Sequence, residues 1–361
     1  MNYLETLMWK ELSFASSTFE NILKNNEQTI KAIKADIEKS GKKQFMLSAR
    51  GTSDHAMMYF KYLLETKTEY CAGYVAPSIV TVYNGKVNYG HTVFIGCSQS
   101  GMAVDVNESI IRANEQGAIT VAITNNTESL MAKTAKYHLF CSAEEEKSVA
   151  ATKTYSAQLF LSAWLVAELA NDGKLLDALK KLPEEVRKLT PSLDLQTTQF
   201  ANEELVGMKG GFVLSRGLTY SIAFEQALKL QETAYKQMKG YASSDFYHGP
   251  MAMVDKTTPV LFYCAKGMTS DIAKITFEDQ SKSIDKMLSM SAPVYLITDD
   301  ENIADKYNGK AKVAFIDNSL GEECSIFFFA LFAQMFACKV SCAVGNNPDS
   351  PRVLNKVTIT K

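Results

Sequence analysis

The chain has 361 residues, 46% of them hydrophobic, and 38 Lys and Arg against 40 Asp and Glu give a formal charge of −2. At roughly 100–200 residues per domain this is two domains, each long enough to bury its own core, and the balanced charge offers no basic face for nucleic acid. The start, MNYLETLMWKEL, lacks the basic-then-apolar order of a secretory leader, and the longest apolar runs, 159–169 and 326–340, are shorter than a membrane span and read as buried helices.

In chain order, residues 1–23 are expected to form a helical arm. Residues 45–53, FMLSARGTS, read as a short apolar strand that runs into Arg-Gly and hydroxyl residues, followed by a helical pattern, HAMMYFKYLLE. A second strand leads into Ser98-Gln99-Ser100-Gly101, a third lies in AITVAIT at 118–124, and a fourth at 137–141. The charged stretch LDALKKLPEEVRKLTPSLDLQ, which holds Pro183 and Pro191, is expected to be a linking helical segment. The strand pattern then recurs as FVLSRGLT at 212–219, PVLFYCAKGM at 259–268, APVYLIT at 292–298 and a last run at 313–316. Arg50 and Arg216 are 166 positions apart and Thr124 and Thr298 are 174 apart, so one unit has been duplicated with a small insertion late in the second copy.

Short β-branched runs alternating with helical patterns predict an α/β fold, each unit a doubly wound, mostly parallel sheet flanked by helices. The expected organisation is an arm (1–23), a first unit (24–171), a linker (172–202), a second unit (203–345) and a tail (346–361). The seven cysteines are odd in number and scattered, several inside apolar runs as Cys97 is in TVFIGC. They read as reduced, buried thiols of a cytoplasmic protein, without zinc-ligand spacing.

In an open parallel sheet, ligands bind beyond the carboxyl ends of the strands. Three segments of the first unit are placed there: Gly51-Thr52-Ser53, Ser98-Gln99-Ser100-Gly101 and the run 148–153, SVAATK. Hydroxyls, a glycine and a helix start suit a phosphate; the same SQSG also suits a plain strand-to-helix turn. The second unit has CAKGM at the matching place and so lacks the hydroxyls, which predicts one phosphate cradle per chain. It carries ionisable groups instead. Glu225, Lys229 and Glu232 share one helix face, read either as a solvated salt-bridged face or as chemistry. His248 follows Asp245 in the turn DFYHGP.

At these residues the chain resembles the sugar isomerase (SIS) family of phosphosugar-binding proteins over nearly its full length. The segments that carry the resemblance are ARGTSDHA, SQSG, KSVAATKTY, SRGLTYSIAFEQALKLQE, DFYHGP and NPDSPRVLNKVT. They are similar both to the double-SIS isomerase half of glutamine:fructose-6-phosphate amidotransferases and to stand-alone SIS-type amino-sugar-phosphate deaminases. The resemblance implies that Gly51, Thr52, Ser53, Ser98, Gln99 and Ser100 hold the phosphate and sugar hydroxyls, with Val149 and Ala150 in close backbone contact. It implies Glu232 as the proton-transfer carboxylate, Lys229 near the reacting carbons, and His248 as the ring-opening group, given in the synthase by a neighbouring subunit. Lys356 matches the tail lysine that closes over the open-chain sugar. A homodimer with a shared active site is therefore expected. Ala103, Ala151 and Lys239 depart from the family pattern.

The synthase's glutaminase domain has no counterpart in this sequence, so ammonia from glutamine is not expected unless a separate chain supplies it. The expected activity is conversion of glucosamine- or galactosamine-6-phosphate to a ketose 6-phosphate and ammonia, without metal, organic cofactor, nucleic-acid or membrane partner. The alternatives are a deglycase for fructosamine or glucoselysine 6-phosphates and a non-catalytic sugar-phosphate sensor.

Overall fold

The apolar runs at 92–97, 119–124, 260–264 and 294–298 are strands buried along their whole length. A parallel sheet covered by helices on both faces demands this. The computed structural model describes residues 1–201 and 203–356. Its first sheet is β1 (Gln44–Ala49), β2 (Cys71–Tyr74), β3 (Thr92–Cys97), β4 (Ile119–Thr124) and β5 (Tyr137–Phe140). The second is β6 (Gly210–Ser215), β7 (Gln237–Ala242), β8 (Val260–Cys264), β9 (Val294–Thr298) and β10 (Lys312–Phe315).

Every pairing in both sheets is parallel. The orders are β2-β1-β3-β4-β5 and β10-β9-β8-β6-β7, the same path read from opposite edges. The duplication read from four strand pairs thus extends to a fifth, β2 and β7. In both units the chain reverses direction across the sheet between its first and third strands, the position where open α/β sheets take their ligands.

By internal contacts the described chain forms two units. The N-terminal unit holds residues 14–147, 151–183, Asn355 and Lys356; the C-terminal unit holds 1–13, 148–150 and 184–354. Phe94, Val106, Ile110, Ala122 and Met131 centre one core of the first, and Phe212, Phe262, Leu296, Ile284 and Tyr307 centre one of the second. The proline-containing charged stretch lies in a single 28-residue helix, Gly173–Phe200.

The helix Glu322–Ala343 is the one described helix long and apolar enough to cross a membrane, and 94% of its most apolar window is buried inside the fold. Its one lysine, Lys339, is held within the C-terminal unit by Asp194, by Thr197 Oγ1 at 2.9 Å and by Thr198 Oγ1 at 2.7 Å. Burial lowers the Lys339 pKa, against the pull of the Asp194 carboxylate. The ring of Tyr3 lies 4.8 Å from the same ammonium.

Gly240 sits in β7 where the strand meets the helix Tyr220–Ala234. A Cβ there would lie 2.5 Å from the Ala223 carbonyl oxygen, a backbone atom that cannot turn aside. Gly240→Ala should therefore cost about 1–3 kcal/mol, the range for overpacking. Urea unfolding of the two proteins measures it, and an unchanged midpoint would contradict this close approach.

Candidate active site

Because Ala49 pairs with Cys97, the residues that follow β1 and β3 leave the N-terminal sheet side by side. Gly51 takes φ +54°, ψ −132°, which an L side chain rarely adopts, and opens the helix Thr52–Lys67. Thr52 is half-buried, and the buried Ser53 Oγ accepts from Gln158 Nε2 at 3.0 Å. After β3, Ser98 donates its N–H to Ile123 O and Asn125 donates to Gln99 O, so the loop stays laddered to β4.

Ser98 Oγ accepts from the Gly101 amide and Ser100 Oγ from the Met102 amide, each at 3.2 Å. These are the bonds of an ordinary strand-to-helix turn. A hydroxyl that accepts still has its proton to donate. The helix Val104–Glu115 then starts without a side-chain cap, because Ala103 has no oxygen to offer. Uncapped amides at a helix start attract an anion. Gly101 (φ +65°) is buried, and a Cβ on it would come 2.2 Å from Ser129 Oγ. Thr52, Ser53, Ser98, Gln99 and Ser100 are thus brought to one edge of the N-terminal sheet.

The matching loop after β8 is filled by the protein itself. Met268 donates its amide to Glu322 Oε2 at 2.7 Å, and Lys266 donates to Asp299 Oδ1 at 2.8 Å. The following helix, Ser270–Ser289, is capped by Thr269, whose hydroxyl accepts from Ile272 N. Burial pushes the Asp299 carboxyl above its ordinary range, against hydrogen bonds from Asn318 and Ser325. The N-terminal unit meets its loop amides with serine hydroxyls and the Val106 amide with Asp105 Oδ1, and leaves its helix without a cap residue; the C-terminal unit brings Glu322 and Asp299 to the loop amides and caps its helix with Thr269.

The helix Tyr220–Ala234 carries the charged face read from the sequence, and that face is not solvated. Glu225 and Lys229 are completely buried. Lys229 Nζ lies 2.5 Å from Glu232 Oε2 and 3.5 Å from Glu225 Oε1. Only the Glu232 side chain, 23% exposed, reaches solvent, so it is the member of the triad placed to exchange a proton. His248 is exposed in the turn after the helix Ser243–Phe246, its amide donating to Asp245 O at 3.0 Å, and its ring has no hydrogen bond among the described residues. Val149 donates to Asp349 O, and the buried Ala150 packs with Met8 and Cys338. These two residues therefore group with the C-terminal unit.

Lys356 lies in the N-terminal unit, with its Nζ 2.7 Å from Glu146 Oε2. Glu146 was hidden from sequence reading by its setting in the run EEEK, which looks uniformly solvated. Yet Glu144, Glu145 and Lys147 are exposed and Glu146 is buried. Burial alone would raise its carboxyl; the Lys356 charge and the hydrogen bonds of Lys356, Thr154 and Thr152 outweigh it and hold the carboxyl below its usual value.

The family model described as SIS domain matches residues 40–167 and 208–340. The chain belongs to the SIS domain family. A glutamine–fructose-6-phosphate aminotransferase of Sulfurisphaera tokodaii is 29% identical over 343 residues, covering 92% of this chain and 54% of that protein. The SIS chain thus spans about half the length of that curated relative. Among solved structures, the C-terminal domain of the glucosamine-fructose-6-phosphate aminotransferase of Francisella tularensis aligns with a TM-score of 0.81, at 24% identity over 96% of this chain and 98% of that one. A glucosamine-6-phosphate deaminase from Thermotoga maritima aligns with a TM-score of 0.75, at 17% identity over 98% and 100%. These likenesses establish a shared double-SIS fold, the α/β arrangement expected from the sequence.

Replacing Lys229 by Met would leave Glu225 buried without its countercharge. The loss of stability should be about 3–5 kcal/mol, as for one half of a buried pair. Denaturant unfolding reads it directly; a loss below about 1 kcal/mol would mean the pair sits in a wetter site than its burial indicates.

Proposed function

We propose that this SIS protein is a phosphosugar isomerase-type enzyme that deaminates an amino-sugar 6-phosphate. The observation that carries the reading is the buried Glu225–Lys229–Glu232 triad, from which Glu232 alone reaches solvent. A sensor would need only an anion cradle, whereas a chain that buries Glu225 and Lys229 at a cost beside a partly exposed Glu232 has use for a positioned acid–base group. The Thermotoga maritima deaminase, aligned over its whole length, supports a deaminase on this fold.

Gly51, Thr52, Ser53, Ser98, Gln99 and Ser100 are assigned to the phosphate and sugar hydroxyls, with Val149 and Ala150 as backbone contacts. His248 protonates the ring oxygen and opens the hemiacetal; its exposed, unbonded ring suits delivery to the site of a second subunit in a homodimer. Glu232 removes the proton at C2 and returns one at C1, with Lys229 beside it. The 2-amino aldose becomes a ketimine, which one water hydrolyses to the ketose 6-phosphate and ammonia. Lys356 faces the oxygen on which negative charge develops. A well-placed general base of this kind contributes about 10²–10⁴ in rate.

The test is ammonia and fructose-6-phosphate release from glucosamine-6-phosphate, with galactosamine-6-phosphate and fructosamine 6-phosphates in parallel. Turnover of an amino-sugar phosphate that drops by about 10²-fold or more in Glu232→Gln is the expected result. Turnover that survives the substitution removes Glu232 from its role. Release from fructosamine 6-phosphates alone replaces deamination by deglycation, and binding without any turnover makes the protein a sensor. Calorimetry should find one phosphosugar per chain, because Glu322 and Asp299 already occupy the second loop; two sites per chain would overturn that part.

A further inference from the structure

Glu146 has no part in the chemistry just described, yet it holds the Lys356 ammonium in an ion pair. Its side chain is 0% exposed. Four neutral donors converge on it from the start of the 17-residue helix Lys153–Leu169. They are Thr152 N at 2.9 Å, Thr152 Oγ1 at 3.3 Å, Thr154 N at 3.1 Å and Thr154 Oγ1 at 2.7 Å. A fifth bond comes from Lys356 Nζ at 2.7 Å, across 210 positions of sequence. All four residues belong to the N-terminal unit.

We propose that Glu146 is the dock of the C-terminal tail, a positioning residue that seats the Lys356 ammonium. The four threonine donors belong to one short stretch beside Glu146 and do not depend on the tail. They, with the positive end of the helix, keep the carboxylate solvated by protein whether or not Lys356 is present. The dock is therefore preformed, and the tail can leave it without refolding the loop.

Residues 346–356 contain neither helix nor strand, and Val353, 95% exposed, sits at φ +57°, a conformation disfavoured for a β-branched residue. The Asn355 side chain has no hydrogen bond among the described residues. An ammonium has three N–H groups. The bond to Glu146 takes one of them and so fixes the direction in which the ammonium presents its charge.

The inference rests on the proposed role of Lys356, but its first test does not. Trypsin must draw Lys356 into its own specificity pocket to cut the Lys356–Val357 bond, so cleavage there, read by intact mass on the full chain, reports how often the lysine leaves Glu146. Glu146→Gln keeps the shape and removes the charge. Cleavage after Lys356 should rise about tenfold or more as the tail is released, with the melting temperature nearly unchanged. Glu146→Asp, which keeps the charge on a shorter stem, should fall between. Unchanged cleavage in folded Glu146→Gln overturns the proposal. If that variant does not fold, Glu146→Asp decides on the same readout, and wild-type cleavage there overturns the dock.

The second arm uses turnover. Glu146→Gln should lower kcat by about 10²-fold, the cost of a misplaced group, with KM little changed. Added to Lys356→Gln it should cost nothing more, whereas a purely structural role would add a further loss. Should the wild type turn over no amino-sugar phosphate, the functional reading fails, and the trypsin result still decides the dock.

Discussion

What this chain can place depends first on one strand pairing, made twice. With β1 beside β3, and β6 beside β8, the chain in each unit must leave two neighbouring strands in opposite senses across the sheet, which opens a crevice at their carboxyl ends. The same ion pair secures both crevices. Arg50, just after β1, reaches Asp105 at 2.7 Å on the helix that follows β3; Arg216, just after β6, reaches Asp279 on the helix that follows β8. The Asp105 side chain is 1% exposed, so its bond to Arg50 also relieves a buried charge. These arginines belong to the repeated Arg-Gly signature, and their conformational work explains why the signature occurs in both copies although the loops beyond it differ.

From that common frame the two copies part over how backbone donors are satisfied. A buried amide needs an acceptor. In the C-terminal unit Glu322, Asp299 and Thr269 provide it from within. In the N-terminal unit Ala103 provides none; serine hydroxyls fill the turn and Asp105 Oδ1 accepts only the Val106 amide. The difference is therefore one of open against closed hydrogen-bonding capacity, on backbones of the same topology. Net charge plays little part in it: a phosphate is attracted by amide dipoles and hydroxyls, which is why a chain of formal charge −2 can carry an anion site.

Much of this was legible in the sequence. The central strands β3 and β4 and their counterparts β8 and β9 announce themselves as continuous apolar runs, because a sheet covered on both faces admits little else. The edge strands β2 and β7 do not. Cys71–Tyr74 is four residues long and partly exposed, and Gln237–Ala242 alternates exposed and buried positions, so neither forms an apolar run. The loops after β1 and β3 could be read because hydroxyls and glycines after a strand have few uses. The burial of Glu225, Lys229 and Glu146 could not. A charge pattern at helical spacing, or a run of glutamates, looks the same whether it faces water or protein, and only tertiary packing decides.

That packing has an energetic consequence. Taking a charge out of water costs several kcal/mol even after relaxation, and a buried pair seldom recovers more than it loses. Apolar side chains of similar volume at Glu225 and Lys229 would serve the stability of the helix Tyr220–Ala234 at least as well. The chain does bury apolar residues elsewhere on the same helix, at Ile222, Ala223, Ala227 and Leu230, so its fold has no general need for charge there. Glu146 makes the same point in the other unit, where one carboxylate takes the donors of Thr152, which could have capped the helix itself, and of Thr154 in its first turn. Stability alone does not account for either arrangement. Both become intelligible when the charges are held ready for a partner that the folded chain does not itself contain, with Glu232 and Lys356 as the members of each set that still reach water.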